Sequence, residues 1–162
     1  ITGDTGGMSM ELLVAPKGNK YVVEDNNHRV IYSVKKKGFS AKYNLYDASD
    51  YVLYTLIQEG DERKPSFTIL LNDGVFLKMV CKSLFLDPTI YAEGKDMKYS
   101  IASKDRRNFD IILNDNTVGK IRTKKTMTGD SHYDIEIENK FFDDYIPLFA
   151  VAIDKAFGEM NK

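Results

Sequence analysis

Four times along the chain an aromatic residue opens an apolar stretch, a polar turn follows about four residues later, and a second β-rich stretch leads away. The copies read Tyr-Val-Val-Glu-Asp-Asn-Asn-His-Arg-Val-Ile-Tyr from Tyr21, Tyr-Asn-Leu-Tyr-Asp-Ala-Ser-Asp-Tyr-Val-Leu-Tyr from Tyr43 and Phe-Thr-Ile-Leu-Leu-Asn-Asp-Gly-Val-Phe-Leu from Phe67. The least regular is Phe-Asp-Ile-Ile-Leu-Asn-Asp-Asn-Thr-Val-Gly-Lys from Phe109. Asn, Asp and Gly sit at the centre of each copy because they tolerate positive φ and hydrogen-bond their own backbone, as tight hairpin turns require. Val, Ile, Tyr and Phe on the flanks suit a pleated surface. Each copy is therefore expected to be a β-hairpin. Tyr133 to Glu138 adds a strand of strict period two with one wet face, and Tyr99 to Ala102 a shorter one.

The end of the chain follows another rule. From Asp143 it reads Asp-Asp-Tyr-Ile-Pro-Leu-Phe-Ala-Val-Ala-Ile-Asp-Lys-Ala-Phe-Gly, which predicts a helix with an acidic cap, a proline in its first turn and Gly158 as its stop. Its apolar residues surround the axis instead of forming one stripe. Such a helix must be buried on most sides, and a barrel interior supplies that site. Many short strands without long linkers favour a barrel or sandwich, and 162 residues with 43% hydrophobic content suffice for one core. The expected fold is mainly β: a closed antiparallel β-barrel of repeated hairpins around a central hydrophobic helix. One domain is expected over residues 10–162. Residues 1–9, rich in Gly and Thr at their start, read as an appended remnant or disordered leader, with Met8 or Met10 as the natural start.

Repeated hairpins followed by a hydrophobic C-terminal helix resemble the tubby C-terminal-like superfamily, in particular its LURP-one-related branch of plants and bacteria. The residues that carry the resemblance are Tyr-Val-Val-Glu-Asp from Tyr21, Leu-Tyr-Asp at Leu45 to Asp47, Phe-Asp-Ile-Ile-Leu-Asn-Asp-Asn-Thr-Val-Gly-Lys-Ile from Phe109, and Ala-Val-Ala-Ile-Asp at Ala150 to Asp154. The resemblance implies about a dozen strands closed around the helix and, more distantly, kinship with phospholipid scramblases. One departure stands out: Ala102-Ser103 occupies the place where relatives usually have a glycine-containing corner.

Chemistry is sparse. His28 and His132 each lie beside an expected turn, without metal spacing to the lone Cys81, and read as surface polar residues. Cys81 reads as a packed small hydrophobe. No nucleophile elbow, P-loop or dinucleotide fingerprint occurs, so no catalytic residue, metal site or cofactor is assigned. Asp143 and Asp144 lie where scramblase relatives carry an acidic segment linked to calcium, but a helix N-terminus favours acids anyway. Asp47, Asp50, Asp73 and Asp115 fit turns.

The suggestive feature is a stretch without acid from Asn116 to Gly129 that holds Lys120, Arg122, Lys124 and Lys125. On a strand the first three project to one face. A second basic run, Lys35 to Lys37, ends the first hairpin, so Lys35, Lys37, Lys120, Arg122, Lys124 and Lys125 are the candidate lipid- or anion-binding residues. In tubby proteins basic side chains on neighbouring strands hold phosphoinositide headgroups, which the resemblance extends to this chain; the bland alternative is a solvated strand face. The expected role is a non-enzymatic binding or tethering module for an anionic phospholipid or a protein partner. Two alternatives remain open: a small-ligand carrier using a barrel cavity, and an enzyme with an unrecognised site. Lys plus Arg total 23 against 24 Asp plus Glu, a formal charge of -1 that gives no global field for nucleic acid. A single cysteine fits a reducing compartment, and the expected location is cytoplasmic, with peripheral contact at the membrane. The longest apolar run, Tyr145 to Ile153, falls short of the roughly 20 residues that span a bilayer.

Overall fold

The computed structural model describes residues 8–162. Twelve strands follow one another as β1 (Ser9–Lys17), β2 (Lys20–Glu24), β3 (Val30–Lys36), β4 (Lys42–Asp47), β5 (Val52–Gly60) and β6 (Pro65–Leu71), then β7 (Gly74–Ser83), β8 (Asp87–Gly94), β9 (Met97–Ala102), β10 (Asn108–Leu113), β11 (Asn116–Lys125) and β12 (Ser131–Glu138). Every strand pairs antiparallel with its sequence neighbours, and β12 pairs with β1, which closes the barrel. Closure leaves no unpaired sheet edge. All four expected hairpins are present, as β2–β3, β4–β5, β6–β7 and β10–β11. Strands β1 and β8 carry no clean alternation and escape a reading by period. Ser9 already belongs to β1, inside the segment expected to be leader; residues 1–7 lie outside the described residues.

The repeat has a structural counterpart that the sequence does not announce. In each copy the register shifts two to three residues after the leading aromatic, at Val23/Glu24, Leu45/Tyr46, Ile69/Leu70 and Ile111/Ile112. A bulge bends its strand and adds twist, so four equivalent bulges curl a sheet of short strands into a ring. The leading aromatics Tyr21, Tyr43, Phe67 and Phe109 are all buried and face inward. At the Ala102-Ser103 corner, Ser103 builds the bend: its hydroxyl accepts the Arg106 N–H at 2.9 Å and donates to Asp105 at 3.2 Å.

Helix α1 (Pro147–Phe157) fills the interior. Seven consecutive residues, Pro147 to Ile153, are buried, and so is Phe157, so the helix is enclosed on every side. The expected acidic cap does not form. Ile146 is the N-cap, Asp143 accepts the backbone N–H of Asp144 at 2.8 Å, and Asp144 accepts the hydroxyl of Tyr32 on the wall. One carboxylate is thus taken by the barrel wall and the other by the adjoining backbone, so neither caps the helix. Gly158 follows the helix but stays right-handed, at φ −55, and Asn161 continues the turn with a bond to the Phe157 carbonyl.

Side-chain bonds pin the helix along its length. Tyr21 and Tyr133 donate to the two oxygens of Asp154 at 2.6 and 2.5 Å, and Tyr145 meets Tyr99 hydroxyl to hydroxyl. Burial, then the charge of Asp154 and the hydrogen bonds to it, push the phenols of Tyr21 and Tyr133 well above the usual range, so both remain donors. Asn161 donates to the Arg106 carbonyl at 2.7 Å and ties the helix exit to the β9–β10 loop.

Candidate functional site

The barrel has two unlike ends. Strands β1, β3, β5, β7, β9 and β11 finish at what is here the upper end, where α1 also finishes. Turns at the lower end are tight and acidic, with Asp50, Asn72, Asp73, Asp96, Asn114 and Asp115 at positive φ. The acidic residues Asp25, Asp47, Asp143 and Asp144 also lie there. Lysines concentrate at the upper end.

The basic candidates fall into two groups. Lys120, Arg122 and Lys124 point outward from β11 while Ile121 is buried, as strand alternation requires. Across the ladder, however, Lys120 stands opposite Glu136 and Arg122 opposite Asp134. Lys120 pairs with Glu136 at 3.3 Å and Lys124 with Asp134 at 2.9 Å. The strand expected to have one wet face supplies that face with acid. Lys125 lies beyond these pairs, exposed at the strand end.

Lys35 and Lys37 belong to a different neighbourhood, separated from β11 by β12, β1 and β2. The register places Lys17 opposite Lys20, and Lys20 opposite Lys35. Three ammonium groups thus stand side by side on the outer wall of β1, β2 and β3. Asn44 and Thr55 continue the row as polar groups, and Lys35 lies over the Tyr46 ring at 5.3 Å. Lys37 and Lys42 cap the row above, with the Lys37 N–H bonded to the Lys42 carbonyl at 2.8 Å. Among the described residues, none of these five lysines pairs with a carboxylate within 4 Å. Like charges directly opposite in a ladder oppose folding, by roughly 1 kcal/mol for two charges about 4 Å apart in water. A multiply charged anion would convert that repulsion into attraction. Lys17, Lys20 and Lys42 escape a reading for basic runs because only the register assembles them.

A family model described as LURP-one-related matches residues 8–154. The chain belongs to the LURP-one-related family. An X-ray structure of an Arabidopsis thaliana protein shares the fold at a TM-score of 0.61 and 16% sequence identity, with 100% of this chain and 99% of that chain covered. No curated protein matches the chain.

In this LURP-one-related barrel the other reactive residues are occupied or sequestered. Cys81 is fully buried, and burial pushes its thiol above the usual range, away from the thiolate a nucleophile needs. His28 projects into solvent 3.5 Å from Glu24, and His132 stands opposite Lys124. Among the described residues no three His, Cys, Asp or Glu side chains gather as metal ligands, and no helix is long and apolar enough to cross a membrane. The phenols with shifted ionisation, Tyr21, Tyr32, Tyr133 and Tyr145 among them, all move away from the anion, with burial the leading cause in these four.

Proposed function

We propose that this chain is a non-enzymatic binding module that recognises anionic phospholipid headgroups at its upper rim. The carrying observation is the lateral row Lys17–Lys20–Lys35, topped by Lys37 and Lys42, in which no lysine pairs with a carboxylate among the described residues. A solvated strand face scatters charges of both signs, as β11 and β12 do. Phosphate groups match a cluster of ammonium donors, and each lysine near an anionic surface adds about 1 kcal/mol. Arg122 and Lys125, which make no ion pair among the described residues, extend the same charge toward β11. Lys120 and Lys124 contribute less because their carboxylate partners must be given up. The carrier reading has little room, since α1 occupies the barrel interior.

The test is co-sedimentation with vesicles of phosphatidylcholine alone, with phosphatidylserine and with phosphoinositide. Binding to the anionic vesicles is expected to weaken with salt. Replacing Lys20 and Lys35 together by Gln should weaken it roughly thirtyfold, whereas replacing Lys120 and Lys124 should change it only a few-fold. A folded protein that ignores every anionic vesicle at low salt would leave a protein partner as the better reading.

A further inference from the structure

The loops of the upper end alternate in character around the ring. The β1–β2 turn is flanked by Lys17 and Lys20, the β5–β6 loop carries Arg63 and Lys64, and the β9–β10 loop carries Lys104, Arg106 and Arg107. Between them stand three loops tipped by large exposed apolar side chains: Phe39 between β3 and β4, Phe85 and Leu86 between β7 and β8, and Met127 between β11 and β12. Phe39 and Met127 are fully exposed, and Leu86 is 92% exposed. In a closed ring of twelve sequential strands these loops follow β3, β7 and β11, four strands apart each time. The tips therefore form a tripod at thirds of the circumference, with a loop that carries cationic side chains in every gap, offset in the β5–β6 loop by Asp61 and Glu62.

Single exposed apolar residues are ordinary on a protein surface, but a symmetric set at one end is not. The acids of this end are largely engaged within their own loops. Asp61 accepts the N–H groups of Arg63 and Lys64, both at 2.9 Å. Asp105 accepts those of Arg107 and Asn108 at 2.9 and 2.8 Å; burial opposes ionisation there, but these bonds outweigh it and hold the carboxyl at about 2. Asp130 takes the Thr128 hydroxyl and Glu159 pairs with Lys162. Glu62 lies among them. The lower end also exposes apolar side chains, Met8, Val30, Tyr51, Val52, Leu71 and Val75, but each keeps part of its surface covered, at 37–70% exposure, and they stand among acidic turns.

Resting on the anionic-lipid reading above, we infer that the barrel docks end-on to an anionic bilayer, with Phe39, Phe85, Leu86 and Met127 entering the interface. The lysine and arginine loops between them then lie at headgroup level. A bilayer fits better than a folded partner because the tips are separated by charged loops and make no continuous apolar patch to bury. A fluid interface accepts separate pegs, and its negative charge matches the gaps. The acidic lower end would be repelled, which fixes the orientation. Arg106 over the Phe85 ring at 5.6 Å shows how a basic group sits above an inserted aromatic.

The experiment compares the native protein with the variant Phe39→Ser, Leu86→Ser and Met127→Ser, all at exposed loop positions, after unfolding curves establish that both fold. Two probes are used: soluble inositol trisphosphate, and vesicles of phosphatidylcholine with phosphoinositide. The variant should bind inositol trisphosphate as the native protein does, while its vesicle affinity falls at least about tenfold. Equal vesicle affinity for both proteins would overturn end-on insertion and leave headgroup recognition standing. No binding of either probe by the native protein would overturn both readings. A polarity-sensitive fluorophore attached through Met127→Cys should shift to the blue on vesicle binding, and the same label through Ala48→Cys at the lower end should not; a shift at Ala48 alone reverses the orientation. Lipid-free dimers of the native protein that become monomers in the Ser variant would assign the tips to self-association and overturn the proposal.

Discussion

The lower end of the barrel is closed by turns and by hydrogen bonds to the helix entry, whereas the upper end carries exposed apolar and basic side chains. Below, seven non-glycine turn residues accept positive φ, and Tyr32, Tyr99 and Asp144 clasp the entry of the helix. Above, loops lengthen, apolar tips stand in water and lysines face one another without acid. On the proposed function, the difference teaches that stability and recognition would occupy separate territory in this fold, with α1 running between them.

The largest effect should come from breaking the helix core. Phe149 is fully buried and packs edge-on against Tyr99 at 5.0 Å and Tyr145 at 5.8 Å. Phe149→Ala is expected to lower stability by about 3–5 kcal/mol through the lost burial and the cavity left behind. Phe39→Ala at the upper end should change it by less than about 0.5 kcal/mol. Urea unfolding of the two variants measures both. Comparable losses would mean that the upper tips are structural after all and the division of labour fails.

The second effect concerns pH and sharpens the same contrast, because the buried phenols belong to the helix and not to the rim. Tyr21 and Tyr133 are raised above the ordinary value of 10.0 by burial and by Asp154, and Tyr145 by burial and its bond to Tyr99. In the unfolded chain these groups ionise near pH 10, while in the folded one they keep their protons. Their contribution is therefore fully present below pH 10 and lost as pH rises above it, at about 1.4 kcal/mol per pH unit for each phenol. Tyr133→Phe should start less stable at pH 7, by about 1.5–3 kcal/mol for a bond to a charged acceptor, and then decline less steeply above pH 10. Equal slopes in the two proteins would remove Tyr133 from the set of helix locks.

How much of this was legible follows the same division. The hairpins could be read because turn chemistry is local: the Asn-Asp pairs at Asn72 and Asn114 sit in the left-handed conformations that such pairs tolerate. The helix could be read because no other element tolerates apolar residues all round. Strand β1 hides because Leu13 faces out and Pro16 interrupts its pattern, and β8 because Pro88 and Thr89 are buried where the period asks for aliphatic residues. The rim was half legible. Lys35 and Lys37 stand in a visible run, but Lys17 and Lys20 join them only through ladder register, and the acids that quench Lys120 and Lys124 come from a strand later in sequence. The apolar tips hide for a plainer reason: Phe39 and Leu86 are residue types that suit strands, but they fall in the loops between β3 and β4 and between β7 and β8. A net charge of -1 concealed a basic end and an acidic one.

The smallest effect carries the most information about function, because its sign separates the two groups of basic residues. Lys120 faces Glu136 at 3.3 Å with both side chains partly exposed, so Lys120→Gln should lower stability by at most about 1 kcal/mol. Lys20 stands between Lys17 and Lys35, so Lys20→Gln removes two unfavourable neighbours and should raise stability by up to about 1 kcal/mol. Both changes should shrink as salt is added, since exposed charges are screened over roughly 8 to 10 Å at physiological ionic strength. Urea unfolding at low and high salt reads the two signs directly. A residue that weakens the fold where it stands, and whose removal weakens anionic vesicle binding, is held for recognition. If Lys20→Gln were destabilising at low salt, the row would be settled by contacts of its own and would lose its claim to recognise phosphate.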